Sequence, residues 1–392
     1  MQNGVSVNHT NKTILEKIRE GYGLPVLSPI AIRLRELASS ENSSVNDLAD
    51  LIAKDPSLTV RMLRLANSAF YGNTGQITTI DCAVMKIGFM RLRTMALAIA
   101  LRDTFPMGKV GPMDYEEFWK SSMYRAIIAK NLARKSGKCN PDEAFVVGLT
   151  LEIGQLILFD LFIKNKLGSM PGHYSFEKHL EWERQQFGVD HREIGQQALR
   201  YWNFPKIMLE CQEVLTEKRH ANVTPLALLC DMARRFSYLV SDKKAGWHLI
   251  FTEVEMLYGI KSPILTSLLA SAFHDVQEIS ESLHVKISRE EDLIELLGKA
   301  KYTLEKISLT ISKWILFAFD GQGEAGSDPM VQYSLTERLQ EVTFEIARPL
   351  AIIREFIDNL VPVVSPNTKE WKYVIAVSQE VKKVELAALL LK

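Results

Sequence analysis

Apolar residues recur every three or four positions along most of the chain, the spacing of one face of an α-helix. In SVNDLADLIA, which begins at Ser44, Leu48 and Ile52 follow this spacing behind a serine that can cap a helix. Pro56 then restarts the chain in a helix, because proline is tolerated in a first turn, and Gly88 interrupts a later apolar run. No convincing strand-like alternation occurs. The pattern predicts an all-α fold of many short helices.

The C-terminal part has a different pattern. A Gly-containing stretch from Phe319 to Gln332 predicts a linker, and the SLTE sequence from Ser334 is a capping box that starts a new helix. Apolar residues of this helix follow a heptad-like spacing: Leu335, Leu339, Val342, Ile346, Leu350, Ile353, Ile357 and Leu360. After a break between Pro362 and Pro366, a second helix carries a similar stripe: Trp371, Val374, Val381, Val384, Ala388 and Leu391. We predict a helical hairpin that docks on another element or on its own copy.

These boundaries predict three parts, which are residues 1–285, a connecting helix and linker over 286–332, and the hairpin over 333–392. Lys plus Arg and Asp plus Glu both total 47, so the global charge does not favour nucleic acid or an anionic membrane as partner. The four cysteines form no CxxC pair, which favours reduced thiols. With no signal-peptide pattern and no uncharged run long enough to span a bilayer, a cytoplasmic protein without membrane insertion is expected.

One short segment resembles a known catalytic motif. VVGLTLEIGQLIL, from Val146 to Leu158, has the Gly and Leu spacing of the GLLHDIG segment of HD-type metal-dependent phosphohydrolases. Leu151 and Glu152 stand where that segment carries adjacent His and Asp. The motif therefore keeps its packing positions and departs from the family at its chemical ones.

The order of several other segments resembles one family. LPVLSPIAIRLREL from Leu24, LADLIAKDPSLTVRMLRLANSAFYG from Leu48 and FGVDHREIGQQALRYWNFP from Phe187 are similar to the HDOD domain, the HD-related output domain of bacterial signalling proteins. The resemblance covers roughly residues 12 to 215, with a helical extension to about residue 285. It implies a multi-helical signalling module related to HD phosphohydrolases.

Metal-dependent phosphohydrolysis needs His and carboxylate ligands around divalent ions, and Leu151 supplies no lone pair. His274-Asp275 is the one adjacent His-Asp pair, but it lacks the Gly-Leu context. Where many HDOD sequences continue to a His-His pair, this chain has Cys211-Gln212. We therefore expect no catalytic residues, no metal and no cofactor. A metal or nucleotide held by Glu152 and nearby carboxylates remains an alternative.

Five residues form a possible partner or ligand surface: Asn67, Ser68, Arg91, Arg93 and His191. Asn67 and Ser68 also fit a role in shaping the end of their helix, and the two arginines fit a solvated face. Asp190 is predicted to cap a helix whose first turn contains His191.

The hairpin segment EVTFEIARPLAIIREFIDNL resembles the dimerisation and phosphoacceptor hairpin of sensor histidine kinases. Glu345 and Pro349 are in register with that signature, with Arg348 beside the proline, but Phe344 stands at the phosphoacceptor position. Phenylalanine has no nitrogen to phosphorylate. The alternative is an unrelated amphipathic hairpin.

Both motifs depart from their families at the chemical positions, which favours a binding function. We predict a non-catalytic signal-transduction adaptor whose partner is a histidine kinase or a response regulator. Two hairpins forming a four-helix bundle would make a homodimer. The alternatives are a ligand-gated sensor of a nucleotide messenger and a residual metal-dependent phosphohydrolase.

Overall fold

The computed structural model describes residues 14–39, 44–68, 76–111, 113–163, 176–213, 223–241, 247–282, 285, 287–320 and 346–389. Over these residues the regular secondary structure is helical, apart from one short antiparallel ladder, which confirms the predicted all-α class. The ladder pairs β1 (Lys109–Val110) with β2 (Met113–Asp114).

The helices of the N-terminal half follow in this order: α1 (14–19), α2 (Pro29–Ser39), α3 (Val45–Ala53), α4 (Pro56–Ala66), α5 (Ile80–Ile87), α6 (Phe89–Arg102), α7 (Tyr115–Ser136), α8 (Pro141–Thr150), α9 (Gly154–Leu158), a π-helix (Phe159–Ile163), α10 (Phe176–Phe187), α11 (His191–Tyr201) and α12 (Lys206–Glu210). The remaining helices are α13 (Pro225–Ser241), α14 (Trp247–Tyr258), α15 (Ser262–Ser282), α16 (Arg289–Asp320), α17 (346–360) and α18 (Lys369–Leu389).

Side-chain caps explain where several helices begin. Ser44 accepts from the backbone N–H of Asp47 at the start of α3, and the Asp47 side chain bonds back to Ser44, which forms a capping box. Asp55 caps α4, with Pro56 at its first position. The predicted break at Gly88 separates α5 from α6. Local sequence therefore sets these boundaries as expected.

The chain divides into two compact units. Unit 1 contains Met1–Ser237 and Asp275–Ile287, and unit 2 contains Tyr238–His274 and Ser288–Lys392. This grouping differs from the predicted division at residue 285, because residues 238–274 belong with the C-terminal part. The division into functional domains stays a prediction.

The core of unit 1 is built around α7, which packs along α8. Its aromatic side chains Tyr115, Trp119 and Tyr124 are at most 1% exposed. The two helices approach closely at Gly148, where an added Cβ would lie 2.8 Å from the Cα of Ala126. A glycine of the motif thus has a packing role.

The apolar stretch Pro141–Ile163 does not form one continuous helix. A turn at residues 151–153 separates α8 from α9, and a π-helix follows. The stretch Pro141–Phe162 is long and apolar enough to cross a bilayer, but 78% of the window is buried inside the protein. Its apolar character is therefore that of a core segment. The turn places Leu151 and Glu152 at the centre of the site described next.

In unit 2, α18 packs along α16. A short turn separates α17 from α18, and Arg354 of α17 contacts Glu385 of α18 at 3.2 Å, which agrees with the predicted helical hairpin. The apolar positions predicted for this hairpin that fall on described helical residues are buried or half-buried, among them Ile353 and Val374, both 0% exposed. Leu335, Leu339, Val342 and Leu391 lie outside the described residues, as does the predicted linker after Asp320.

Candidate functional site: a buried charge cluster

Glu152, Glu183, His191 and Arg192 form a cluster of buried charged side chains in unit 1, which we call the Glu152 cluster. Each of the four residues is at most 3% exposed. They come from the turn at residues 151–153, from α10 and from the first turn of α11. Leu151, the preceding motif residue, is 1% exposed and lies in the apolar core.

The Glu152 carboxylate has partners on both oxygens. Its Oε2 lies 2.6 Å from His191 Nε2 and accepts from Gln155 Nε2 at 3.2 Å. Its Oε1 accepts from Arg192 Nη1 at 2.9 Å. The Glu152 carboxylate is therefore held by two positively charged side chains, His191 and Arg192, of the chain itself.

The second carboxylate of the cluster, Glu183, contacts the other ring nitrogen of the same histidine. Its Oε2 lies 2.7 Å from His191 Nδ1 and accepts from the His191 backbone N–H at 2.9 Å. Its Oε1 lies 3.2 Å from His179 Nε2 on α10. Both ring nitrogens of His191 thus face a carboxylate, the arrangement that suits a protonated imidazolium.

The electrostatics agree with this geometry. Although burial alone lowers the pKa of His191, the carboxylates of Glu183 and Glu152 raise it to about 10. Burial raises the pKa of Glu183, but His191 and His179 lower it to about 2. The pKa of Glu152 is also lowered, because His191 and Arg192 outweigh its burial. At neutral pH two negative and two positive charges balance within the cluster.

Arg192 connects this cluster to the segment that follows α12. Its Nη1 donates to the Leu151 carbonyl at 3.0 Å, its Nη2 to the Cys211 carbonyl at 2.7 Å and its Nε to the Gln212 carbonyl at 3.0 Å. These three carbonyls lie at turns, where no backbone N–H of a described helix bonds to them. The guanidinium therefore donates hydrogen bonds to backbone carbonyls as well as to Glu152.

The glycine that follows the motif turn lets α9 approach α11. A Cβ on Gly154 would lie 1.7 Å from the backbone oxygen of His191 and 2.7 Å from the Gly195 nitrogen. No side chain fits at this distance. The short approach places the turn at residues 151–153 against the first turn of α11 and so brings Glu152 to His191 and Arg192.

The arrangement does not fit the divalent metal that the HD resemblance implies. A metal ligand must offer a lone pair, whereas His191 is held as an imidazolium with both nitrogens engaged, and Leu151 offers none. Within the described ranges no group of three His, Cys, Asp or Glu side chains suits a metal ion. What the cluster does chemically is join three segments of the domain through buried ion pairs.

Two residues predicted for a surface instead shape a helix end. Asn67 Nδ2 donates to the carbonyls of Leu63 and Ile77 at 2.9 and 2.8 Å, and its Oδ1 accepts from the Ile77 backbone N–H at 2.7 Å. Ser68 Oγ donates to the Leu65 carbonyl at 2.7 Å. These bonds give both side chains a role in the turn after α4, which was the structural interpretation of the pair.

The other predicted surface residues differ in exposure. The Arg91 side chain is 56% exposed and its Nε lies 2.9 Å from Asp142, while Arg93 donates to the Leu37 carbonyl at 3.2 Å. His191 is 1% exposed, so its assignment to a surface is wrong. The predicted cap is confirmed, since Asp190 and Glu193 form a capping box at the start of α11.

Sequence reasoning missed Glu183 and Arg192. Arg192 lies two residues after the predicted cap Asp190, and Glu183 lies four residues after His179 on one helix face. Both positions could be located in the sequence, but no local pattern predicts that the face of α10 that carries Glu183 packs against His191.

The kinase-like positions of the hairpin lie in unit 2 or outside the described residues. Phe344 and Glu345 lie outside them. Arg348 Nη2 contacts Glu255 Oε2 on α14 at 2.8 Å, and Pro349 is buried.

The comparisons with known proteins identify the first unit. The family model of the HDOD domain matches residues 24–217. The chain therefore contains an HDOD domain, and the Glu152 cluster lies inside it. The expected resemblance is confirmed, while the kinase likeness of the hairpin stays a prediction.

Solved structures share the fold. A proposed phosphohydrolase from Shewanella amazonensis SB2B is 26% identical, with a TM-score of 0.55 over 70% of this chain and 98% of that one. A proposed signal transduction protein from Marinobacter aquaeolei VT8 is 19% identical, with a TM-score of 0.51 over 72% of this chain and 66% of that one.

A curated relative is the uncharacterized protein YuxH of Bacillus subtilis (strain 168), 26% identical over 148 residues, which are 36% of this chain and 35% of YuxH. A second relative, from Treponema pallidum (strain Nichols), is matched over 36% of its length. The matches thus span about a third of these relatives, and their whole-protein activities do not carry over.

Proposed function

We propose that this protein is a cytoplasmic signal-transduction regulator that acts by binding other proteins and not by phosphohydrolysis. The observation that carries the proposal is the Glu152 cluster. In the HDOD domain the carboxylates of this cluster are paired with the chain's own His191 and Arg192, which supply the positive charge. A domain that keeps its shape without ligands for a metal is suited to present a surface.

The first test measures whether metal-dependent hydrolysis occurs at all. The full-length protein is incubated with Mn²⁺ and bis(p-nitrophenyl) phosphate, beside a Glu152→Gln variant and an active HD phosphohydrolase as positive control. We expect no Mn²⁺-dependent release of nitrophenol by either form. Hydrolysis by the wild type that disappears in Glu152→Gln would contradict the proposal and favour the residual phosphohydrolase.

We further propose that the C-terminal hairpin selects the partner, a histidine kinase or a response regulator. Its support is the kinase-like sequence around Arg348 and Pro349 together with the HDOD domain, a module of bacterial signalling proteins. Cross-linked partners are captured in the native cells by the full-length protein and by a chain that ends at Asp328.

Enrichment of identified kinases or response regulators by the full-length form, lost on truncation, is the expected result. Equal capture by both forms would move recognition to the HDOD domain. If neither form enriches a signalling protein, the adaptor proposal fails. A nucleotide messenger that raises the melting temperature without turnover would then favour the ligand-gated sensor.

A further inference from the structure

The apolar side of the hairpin is covered by its own chain. In α17 the side chains of Leu350, Ile353 and Ile357 are at most 6% exposed, and in α18 Val377 and Val381 are at most 3% exposed. These residues lie in unit 2, whose members include α14, α16 and the first part of α15. We call this buried side of α17 and α18 the hairpin seam. Its apolar positions have partners within one chain.

Two polar contacts join α17 to the other helices of unit 2. Near its beginning, Arg348 Nη2 lies 2.8 Å from Glu255 Oε2 of α14, and these side chains are 27% and 36% exposed. Near its end, Asn359 Nδ2 donates to Thr266 Oγ1 of α15 at 3.1 Å, and Thr266 is fully buried. The contacts lie about three turns apart along α17 and so fix its register and both ends.

The same seam is what a second copy would need for pairing. Its apolar residues repeat at spacings of three and four, as in helices that pair with one another. The docked hairpin and the paired hairpin therefore compete for one set of apolar side chains.

We propose that docking of the hairpin on its own chain is an autoinhibitory contact, in which Arg348–Glu255 and Asn359–Thr266 keep the seam from pairing with a second copy. The inference rests on the proposed function, because it regulates the hairpin that is proposed to select partners. It adds a requirement that the earlier proposal lacks, namely release of α17 before the seam is available.

The test compares charge reversals in the full-length protein. Arg348→Glu and Glu255→Arg each place like charges together at one end of α17, and the double variant restores the pair with its signs exchanged. Arg354→Glu is the matched control, because Arg354 contacts Glu385 of α18 at 3.2 Å within the hairpin, on its exposed side. All variants are measured by hydrogen exchange of residues 346–389 and by light scattering.

We expect about tenfold faster exchange over α17 in each single reversal, and a shift of the measured mass toward two chains. The double variant and Arg354→Glu should resemble the wild type. Wild-type exchange and mass in both single reversals would overturn the inference, as would an equal effect of Arg354→Glu.

A neutral variant guards against misfolding of the charge reversals. Asn359→Leu removes the contact with Thr266 without adding charge, and we expect faster exchange at the end of α17 with unchanged exchange over residues 289–313 of α16. Unchanged exchange at both places would overturn the proposal. These readouts use the protein alone, so they are independent of whether a kinase is captured.

Discussion

The Glu152 cluster and the hairpin seam differ in how the structure holds their polar side chains. In unit 1, Glu152 belongs to a cluster of two negative and two positive side chains, each of which is at most 3% exposed. In unit 2 the seam is aliphatic, and its ion pair between Arg348 and Glu255 is partly exposed. Buried ion pairs are expensive to break, whereas exposed ones contribute little. We therefore expect the cluster to stay intact in the folded protein. The ion pair of the seam should break at a smaller cost in free energy, so α17 is the element that we expect to be released.

The largest predicted effect is loss of one carboxylate from the cluster. Glu152→Ala leaves Arg192 and the His191 imidazolium short of a buried counter-charge, and we expect a loss of about 3–5 kcal/mol in the free energy of unfolding. Urea denaturation followed by circular dichroism measures it.

Glu210→Ala is the control for that variant, because it removes an exposed pair with Lys206, whose side chain is 89% exposed. We expect the control to lose less than about 0.5 kcal/mol. If Glu152→Ala were no worse than this control, the cluster would not be the structural centre of the domain.

The next effect concerns glycines in the two units. Gly154→Ala forces a Cβ against the His191 carbonyl, so we expect a loss of about 3 kcal/mol. Gly298→Ala, in α16, meets nothing within 4 Å, and alanine there should stabilise the protein by about 0.5–1 kcal/mol. Thermal or urea unfolding measures the change in stability of both variants. Equal effects of the two substitutions would contradict the close approach of Gly154 to the His191 backbone.

Several local features of the fold could be predicted from the sequence, but the Glu152 cluster could not. Local signals predicted the N-cap at Asp190, the break at Gly88 and the burial of Ile353 correctly, because caps and helical spacing depend on neighbours in the chain. The pairing of His191 with Glu183 depends on how α10 packs against α11, which no local pattern encodes. A polar residue at a helix start is usually exposed, but His191 is buried because α10 brings Glu183 to its side chain.

The pH dependence of stability tests the protonation states of buried groups in unit 1. The pKa of His191 is raised to about 10 from 6.5, so its contribution is complete below pH 6.5 and declines as the pH rises toward 10. The lowered pKa of Lys130, about 8, acts in the opposite direction above that pH. Between about pH 6.5 and 8 we therefore expect stability to fall by about 1.4 kcal/mol per pH unit.

Urea titrations of the wild type and of His191→Gln at pH 6.5, 7 and 8 measure this slope. The variant should lose the slope along with part of its stability. On the acidic side, Glu183 has a pKa lowered to about 2, so its contribution, complete above the ordinary value of 4.5, is lost as the pH falls toward 2. A wild-type stability that is flat from pH 6.5 to 8 would mean that His191 is not a buried imidazolium.

The smallest effect is expected in the hairpin. Arg354→Ala removes the contact with Glu385, in which the arginine side chain is 57% exposed, so solvent screens most of the interaction and we expect a change of less than about 1 kcal/mol in the free energy of unfolding. The double-mutant cycle with Glu385→Ala isolates the pair from other effects of truncation. A coupling free energy as large as the loss predicted for Glu152→Ala would contradict the difference between buried and partly exposed charges. The Arg354–Glu385 pair would then stabilise the hairpin as strongly as the ion pairs stabilise the cluster. A small coupling would mean that the Arg354–Glu385 pair contributes little to holding α17 and α18 together. The aliphatic residues of the seam would then contribute most of the stability of the hairpin.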